Sequence, residues 1–259
     1  MSIWTDHWRS FVSETSYLRI LREKGISNDQ FWQSYQIYDE VLRRSGYPGE
    51  ILTRISSYIR PEDVLLDIGA GTGAFAVPLA RIADRIIAID PSDYHLGLLS
   101  EKAEREKLKN IIPIANEWRA VNPSDIGMVD YSLAAYSLFD LEIEAFLRRM
   151  IDIASKGVFI VFRAGKPDSL NEFVYGIRPS ADYKCLCHIL DDLGYKFESE
   201  IFERHYALPM NLVSRQYSFS GKSVDDLNEF LRAEKRLIEK DDGCLAAFSV
   251  EDALLSMIH

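Results

Sequence analysis

Three glycines at alternate positions, Gly69, Gly71 and Gly73, follow an apolar run, Val64-Leu65-Leu66-Asp67-Ile68, whose last residues include an acid. The next apolar run, Ile86-Ile87-Ala88-Ile89, also ends on an acid, Asp90. A strand, a tight loop and a helix start are the expected local structure, because the first run has strand length and an apolar helical pattern begins near Phe75. Glycine admits positive φ and lets a ligand approach the main chain, and the N–H groups at a helix start lack intrahelical partners. A nucleotide-like guest is expected there. Asp67 narrows its chemistry: a pyrophosphate on the loop would be repelled by this carboxylate, whereas a cationic amino acid end would be attracted. Asp90 can accept hydrogen bonds from both hydroxyls of a ribose, which dinucleotides and adenosyl ligands share; its alternative role is to cap the helix starting near Tyr94. Gly69-Ala70-Gly71-Thr72-Gly73-Ala74 also satisfies the relaxed dinucleotide fingerprint, so a nicotinamide-dependent oxidoreductase stays open.

The elements around these residues alternate. Helical patterns over 75–83, 93–108 and 142–154 separate apolar strands over 64–68, 85–90, 110–115, 128–135 and 157–162, which predicts a parallel sheet with helices on both faces. Strand-like alternation over 196–205 and 212–220 predicts a terminal antiparallel hairpin, giving seven strands, and 224–239 and 246–258 read as closing helices. Ahead of the sheet, residues 1–48 read as aromatic amphipathic helices. They could pack on the main domain or form a lid, with Trp32 and Tyr35 lining a substrate pocket above the glycines. The expected division is a helical cap over 1–48, a ligand-binding α/β domain over 49–220 and a helical extension over 221–259.

Composition limits the partners. The 259 residues carry a formal net charge of −10, which disfavours nucleic acid, and small molecules fit more easily. No apolar run reaches the roughly 18–20 residues needed to cross a bilayer and the first residues have no signal core, so a cytoplasmic protein without a membrane partner is expected. Cys185, Cys187 and Cys244 form no disulfide framework. Cys185-Leu186-Cys187-His188 invites a metal reading, but Cys187 would leave the helix face shared by Cys185 and His188 and no second ligand pair follows, so no metal is expected.

Asp67 to Gly73 together with Asp90 resembles the first two motifs of the class I S-adenosylmethionine-dependent methyltransferases, and the order of elements from Glu50 to Ser220 resembles that family as well. The resemblance implies a Rossmann-like, doubly wound, seven-stranded and mostly parallel α/β sheet with a helical N-terminal cap. It implies S-adenosyl-L-methionine as cofactor, and it implies a place for each motif residue. Asp67, Gly69, Ala70, Gly71 and Gly73 would surround the methionine part and Asp90 the ribose. Pro91 would lie beside the adenine, with Asn116, Glu117 and Trp118 at its edge. The family often has an Asp after the third strand; here Asn116 or Glu117 must substitute.

The fourth strand leads into Tyr136-Ser137-Leu138-Phe139-Asp140, and ligands in open parallel sheets bind at carboxyl strand ends. Tyr136 is therefore the first catalytic candidate, its alternative role being to pack on the cofactor. If a base is needed, His205 near the terminal hairpin and His7 are the others. The expected activity is methyl transfer to a small-molecule acceptor. The alternative is a non-catalytic adenosyl-ligand binder.

Overall fold

The computed structural model describes residues 2–241 and 243–259. Five strands, β1 (Val64–Ile68), β2 (Arg85–Asp90), β3 (Ile111–Ala115), β4 (Val129–Ala135) and β5 (Ala154–Arg163), pair in parallel in the order β3-β2-β1-β4-β5. Strand order reverses between β1 and β4, so the glycine loop after β1 opens at the switch point of the sheet, where α/β proteins bind ligands.

Alternation along the strands assigns the faces. Leu66, Ile68, Ile87 and Ile89 face a core built with helices α1 (Ile3–Ser13), α9 (Ile143–Asp152) and α11 (Tyr183–Asp192). Leu65, Ile86 and Ala88 face the opposite core, built with α5 (Gly49–Ser56), α6 (Ala76–Leu79) and α7 (Asp93–Arg105). By the same period Asp67 and Asp90 point to this second face.

The N-terminal region holds α1 and three further short helices, α2 (Ser16–Lys24), α3 (Asn28–Ser34) and α4 (Tyr38–Arg44). Local chemistry sets their breaks. Gly25 ends α2 at φ 62°, and Ser27 with Gln30 closes a capping box that starts α3.

The terminal strands depart from the expectation. β6 (Glu198–Pro209) runs antiparallel to β8 (Gly243–Ile258), which fills the slot between β5 and β6, and β7 (Leu237–Lys240) pairs on β8. Residues expected as the second hairpin strand instead form α12 (Met210–Gln216), and the expected helix over 246–258 is the inserted strand. The sheet therefore ends at residue 258, and 221–259 is not a helical extension. Asp252 to Met257 is buried at every position, so its apolar run carries no period that separates strand from helix, and only the slot decides.

Pairing of β5 with β8 ends at Arg163 and Asp252, but pairing of β6 with β8 continues to Pro209 and Leu245. The two strands thus reach past the carboxyl edge of the sheet as an arm. On this arm pack α10 (Ser169–Tyr175), α12 and α13 (Val224–Ala233), around Leu208, Val213, Leu231 and Phe248. A short helix, α8 (Pro123–Ile126), precedes β4. No helix among the described residues is long and apolar enough to cross a membrane.

Candidate active site at the carboxyl edge of the sheet

The glycine loop is shaped by its neighbours. A Cβ on Gly69 would stand 2.2 Å from the Cβ of Ser137, and one on Gly73 would stand 2.8 Å from Val77 Cγ2. Both glycines also have positive φ, so larger residues are excluded by space and by backbone. The amide of Gly71 donates to Asp90 Oδ2 at 2.8 Å, and the amide of Ser92 donates to Asp90 Oδ1 at 2.9 Å. Asp90 thus ties the loop after β1 to the turn after β2.

Two buried carboxylates result. Burial, with Asp90 as the next cause, pushes Asp67 up to about 7, and burial pushes Asp90 up to about 6 against the lowering by its two amide donors. His95 Nδ1 lies 3.9 Å from Asp90 Oδ1. Desolvation lowers His95 to about 4, so it is neutral and supplies no positive charge. The pair retains acceptor capacity for hydroxyl donors and, among the described residues, forms no ion pair with Lys or Arg.

The N-terminal helices are fastened over this place at two points. Asp29, in α3, accepts from Ser92 Oγ at 2.5 Å and faces the amide of Tyr94 at 3.4 Å. Asp39, in α4, accepts from the Thr72 hydroxyl and pairs with Lys102 Nζ at 2.8 Å, and Lys102 also donates to the Thr72 carbonyl. Between these latches the rings of Trp32 and Tyr38 lie 4.5 and 5.6 Å from the imidazole of His95. Tyr17 lies 5.4 Å from Trp32, and Tyr35 lies 6.1 Å from the same ring.

After β3, Asn116 and Glu117 stay at the strand end, the amide of Asn116 donating to the Asp90 carbonyl at 3.1 Å. Trp118 does not stay there. Its indole is 5% exposed and belongs to the core under α9, beside Phe146 and 4.4 Å from the Arg149 guanidinium. An aromatic residue three positions past a strand end turns inward for burial, and the motif alone does not reveal this.

Tyr136 follows β4 with φ 55°. Its hydroxyl donates to Asp252, a fully buried residue of β8, and Asp252 accepts from Arg204 Nε at 2.6 Å. The Arg204 guanidinium stacks on Tyr47 at 5.0 Å and donates to the Ser45 carbonyl at 3.1 Å. Burial, followed by Asp252, holds the Tyr136 phenol well above its ordinary value. The phenol is thereby an oriented donor to Asp252. His205 is displaced from the expected role. It lies on β6, with β8, β5 and β4 between it and β1, and its exposed ring pairs with Glu203 at 3.2 Å. His7 is held by the Ser180 carbonyl, 3.0 Å from Nε2. Cys185 is buried, and Trp4 stacks on His188 at 4.0 Å.

Sequence reasoning missed Asp29, Asp39, His95, Arg204 and Asp252. Each acts across distant segments, so no local spacing signals it; only Ser92 ahead of Asp93 had a readable pattern, that of a helix cap.

Residues 65–157 match the family model described as Methyltransferase domain. Those residues, which carry the glycine loop and both buried carboxylates, are a methyltransferase domain. An uncharacterized protein of Haemophilus influenzae is 26% identical over 80% of this methyltransferase and 75% of its own length. Methyltransferase pgmE of Aspergillus terreus is 27% identical over 38% of this chain, and the match spans only 29% of pgmE. The YcgJ protein of Bacillus subtilis superposes with a TM-score of 0.58 at 15% identity, over 80% of this chain and 97% of its own. Precorrin-6y C5,15-methyltransferase of Geobacter metallireducens gives 0.50 at 12%, over 80% and 86%, and these two likenesses show the shared fold.

The cofactor of the methyltransferase is S-adenosyl-L-methionine. The donor set fits it: Asp90 offers acceptors for a ribose diol, and the uncompensated Asp67 and Asp90 suit a sulfonium and an ammonium group. Asp90 in the free protein titrates near 6, above the ordinary carboxylate value, so part of it is protonated between pH 5 and 7. A bound diol and cation favour the carboxylate, so binding should release protons and affinity should rise with pH over that window. Calorimetry in buffers of different ionisation enthalpy measures this, and proton uptake or no buffer dependence would contradict the placement of the ribose.

Proposed function

We propose that the methyltransferase alkylates a small-molecule acceptor held beyond Tyr136, beneath the N-terminal helices. The supporting observation is the double latch: Asp29 on Ser92 and Asp39 on Thr72 and Lys102 roof the same loops that grip Asp90. A nucleic acid duplex would need that edge open and basic, whereas the roof is aromatic and the chain carries a net charge of −10. Ribosomal RNA small subunit methyltransferase A of Desulforapulum autotrophicum is 29% identical over only 32% of this chain and 32% of its own length.

In this reading Asp67, Gly69, Ala70, Gly71 and Gly73 border the methionine part. Asp90 holds the ribose, and Pro91, Asn116 and Glu117 border the adenine. The sulfonium supplies an electrophilic methyl group without further protein chemistry. The chain orients the acceptor and excludes water, and orientation alone can account for about 7 to 11 kcal/mol of barrier. Tyr136, fixed by Asp252 and Arg204, offers a rigid ring beside the acceptor, and Trp32 and Tyr35 line the roof.

Calorimetry with S-adenosylhomocysteine and with NAD tests the cofactor, and binding of NAD alone would remove the proposal. Transfer of labelled methyl from S-adenosylmethionine into fractionated cell extract tests the acceptor. Label is expected in the low-mass filtrate; label confined to RNA or protein would refute a small molecule, and tight binding with no transfer to any fraction would favour a silent binder.

A further inference from the structure

Arg163 ends β5 and lines a cavity of about 330 Å³ between the start of α1, the connection after β5 and the start of α11. Its Nη2 donates to the Ala181 carbonyl at 2.6 Å, but its Nε is buried without a partner, and no carboxylate pairs with it among the described residues. Two other arginines are placed differently. Arg178 pairs with Glu14 at 3.5 Å, and Arg215 is exposed. Removing a guanidinium from water is costly, and Asp182, the acid whose charge acts on Arg163, forms no ion pair with it.

The same cavity gathers Lys166 and Lys184, also without carboxylate partners among the described residues, and the rims of His7 and His188. Its one acid, Asp182, has Oδ1 taken up by the amide of Lys184 at 2.9 Å as the cap of α11. The neighbouring cavity offers a contrast, because its Arg236 is matched by a two-pronged pair with Asp168 at 2.9 Å. The first cavity also adjoins the transfer end of the sheet. Arg163 stands opposite Asp252 in the register of β5 with β8, and Asp252 holds Tyr136.

We infer that Arg163, Lys166 and Lys184 form an anion subsite that anchors a carboxylate or phosphate group of the methyl acceptor. A planar guanidinium lining the cavity matches either oxyanion, and the two lysines add charge without fixing geometry. The inference rests on the small-molecule reading above and gives that acceptor a charge.

The test uses the full chain saturated with S-adenosylhomocysteine. Calorimetric titration with inorganic phosphate and with citrate should show binding that weakens with added salt and falls at least about tenfold in Arg163→Met. Lys184→Gln, at an exposed position, should weaken it by a smaller factor. Both variants should bind S-adenosylhomocysteine as the parent does, which verifies that they fold. In the labelled-methyl experiment the product should be retained on an anion exchanger and be lost with Arg163→Met. Failure of both anions to bind, equal binding by Arg163→Met, or label in a neutral or cationic product overturns the inference. If no small molecule is labelled although S-adenosylhomocysteine binds, the functional reading falls instead, and the phosphate and citrate titrations still decide the subsite.

Discussion

Replacing Asp90 by alanine is expected to lower the affinity for S-adenosylhomocysteine by at least about a hundredfold, because two hydrogen bonds to a charged acceptor are each worth about 1.5 to 3 kcal/mol. The residue acts twice. Its carboxylate would meet the ribose, and it already receives the amides of Gly71 and Ser92, so its loss frees both loops that the ligand must touch. Stability should respond less than affinity. A carboxyl whose folded pKa is raised contributes stability that is complete only below its unfolded value and is lost as pH rises through about 6. At pH 7 the ligand-free protein therefore carries a burial cost that alanine relieves, offsetting part of the lost amide bonds. A calorimetric titration beside a denaturation curve separates the two effects. Unchanged affinity in Asp90→Ala would show that the ribose site lies elsewhere.

Arg204→Met should give the largest loss of stability, about 3 to 5 kcal/mol, since it leaves Asp252 charged and buried without its partner. The double variant Arg204→Met with Asp252→Asn should recover a substantial part, because removing both charges avoids the stranded carboxylate. The chain affected is long. Tyr136 hangs on Asp252, and Tyr47 packs under Arg204, so the single variant should also release the phenol from its fixed direction. Urea denaturation of the parent, the single and the double variant forms the cycle. A single variant as stable as the parent, or a double variant less stable than the single one, would refute the account.

The latches explain why the N-terminal helices matter although they precede every motif. Trp32 and Tyr35 were legible as surplus aromatics on a helix, but their use depends on Asp29 reaching Ser92 and Asp39 reaching Thr72 and Lys102. Neither acid is unusual in its local sequence. Their significance arises only when α3 and α4 cross the switch point of the sheet.

What the sequence by itself determined is the local core of the site. A strand ending near Asp67, glycines where neighbours or φ forbid a side chain, and a second strand ending on Asp90 are contiguous patterns, and short-range sterics and burial period suffice to read them. The position of Tyr136 follows in the same way from the end of β4. Tertiary structure decided the rest. It turned Trp118 into the core, gave Tyr136 a buried acceptor in Asp252, and put His205 on the far edge strand. It also placed β8 between β5 and β6, where an apolar stretch without periodicity found its partners. Those outcomes depend on which distant segment fills a slot or neutralises a charge, and such pairings are written in no local spacing.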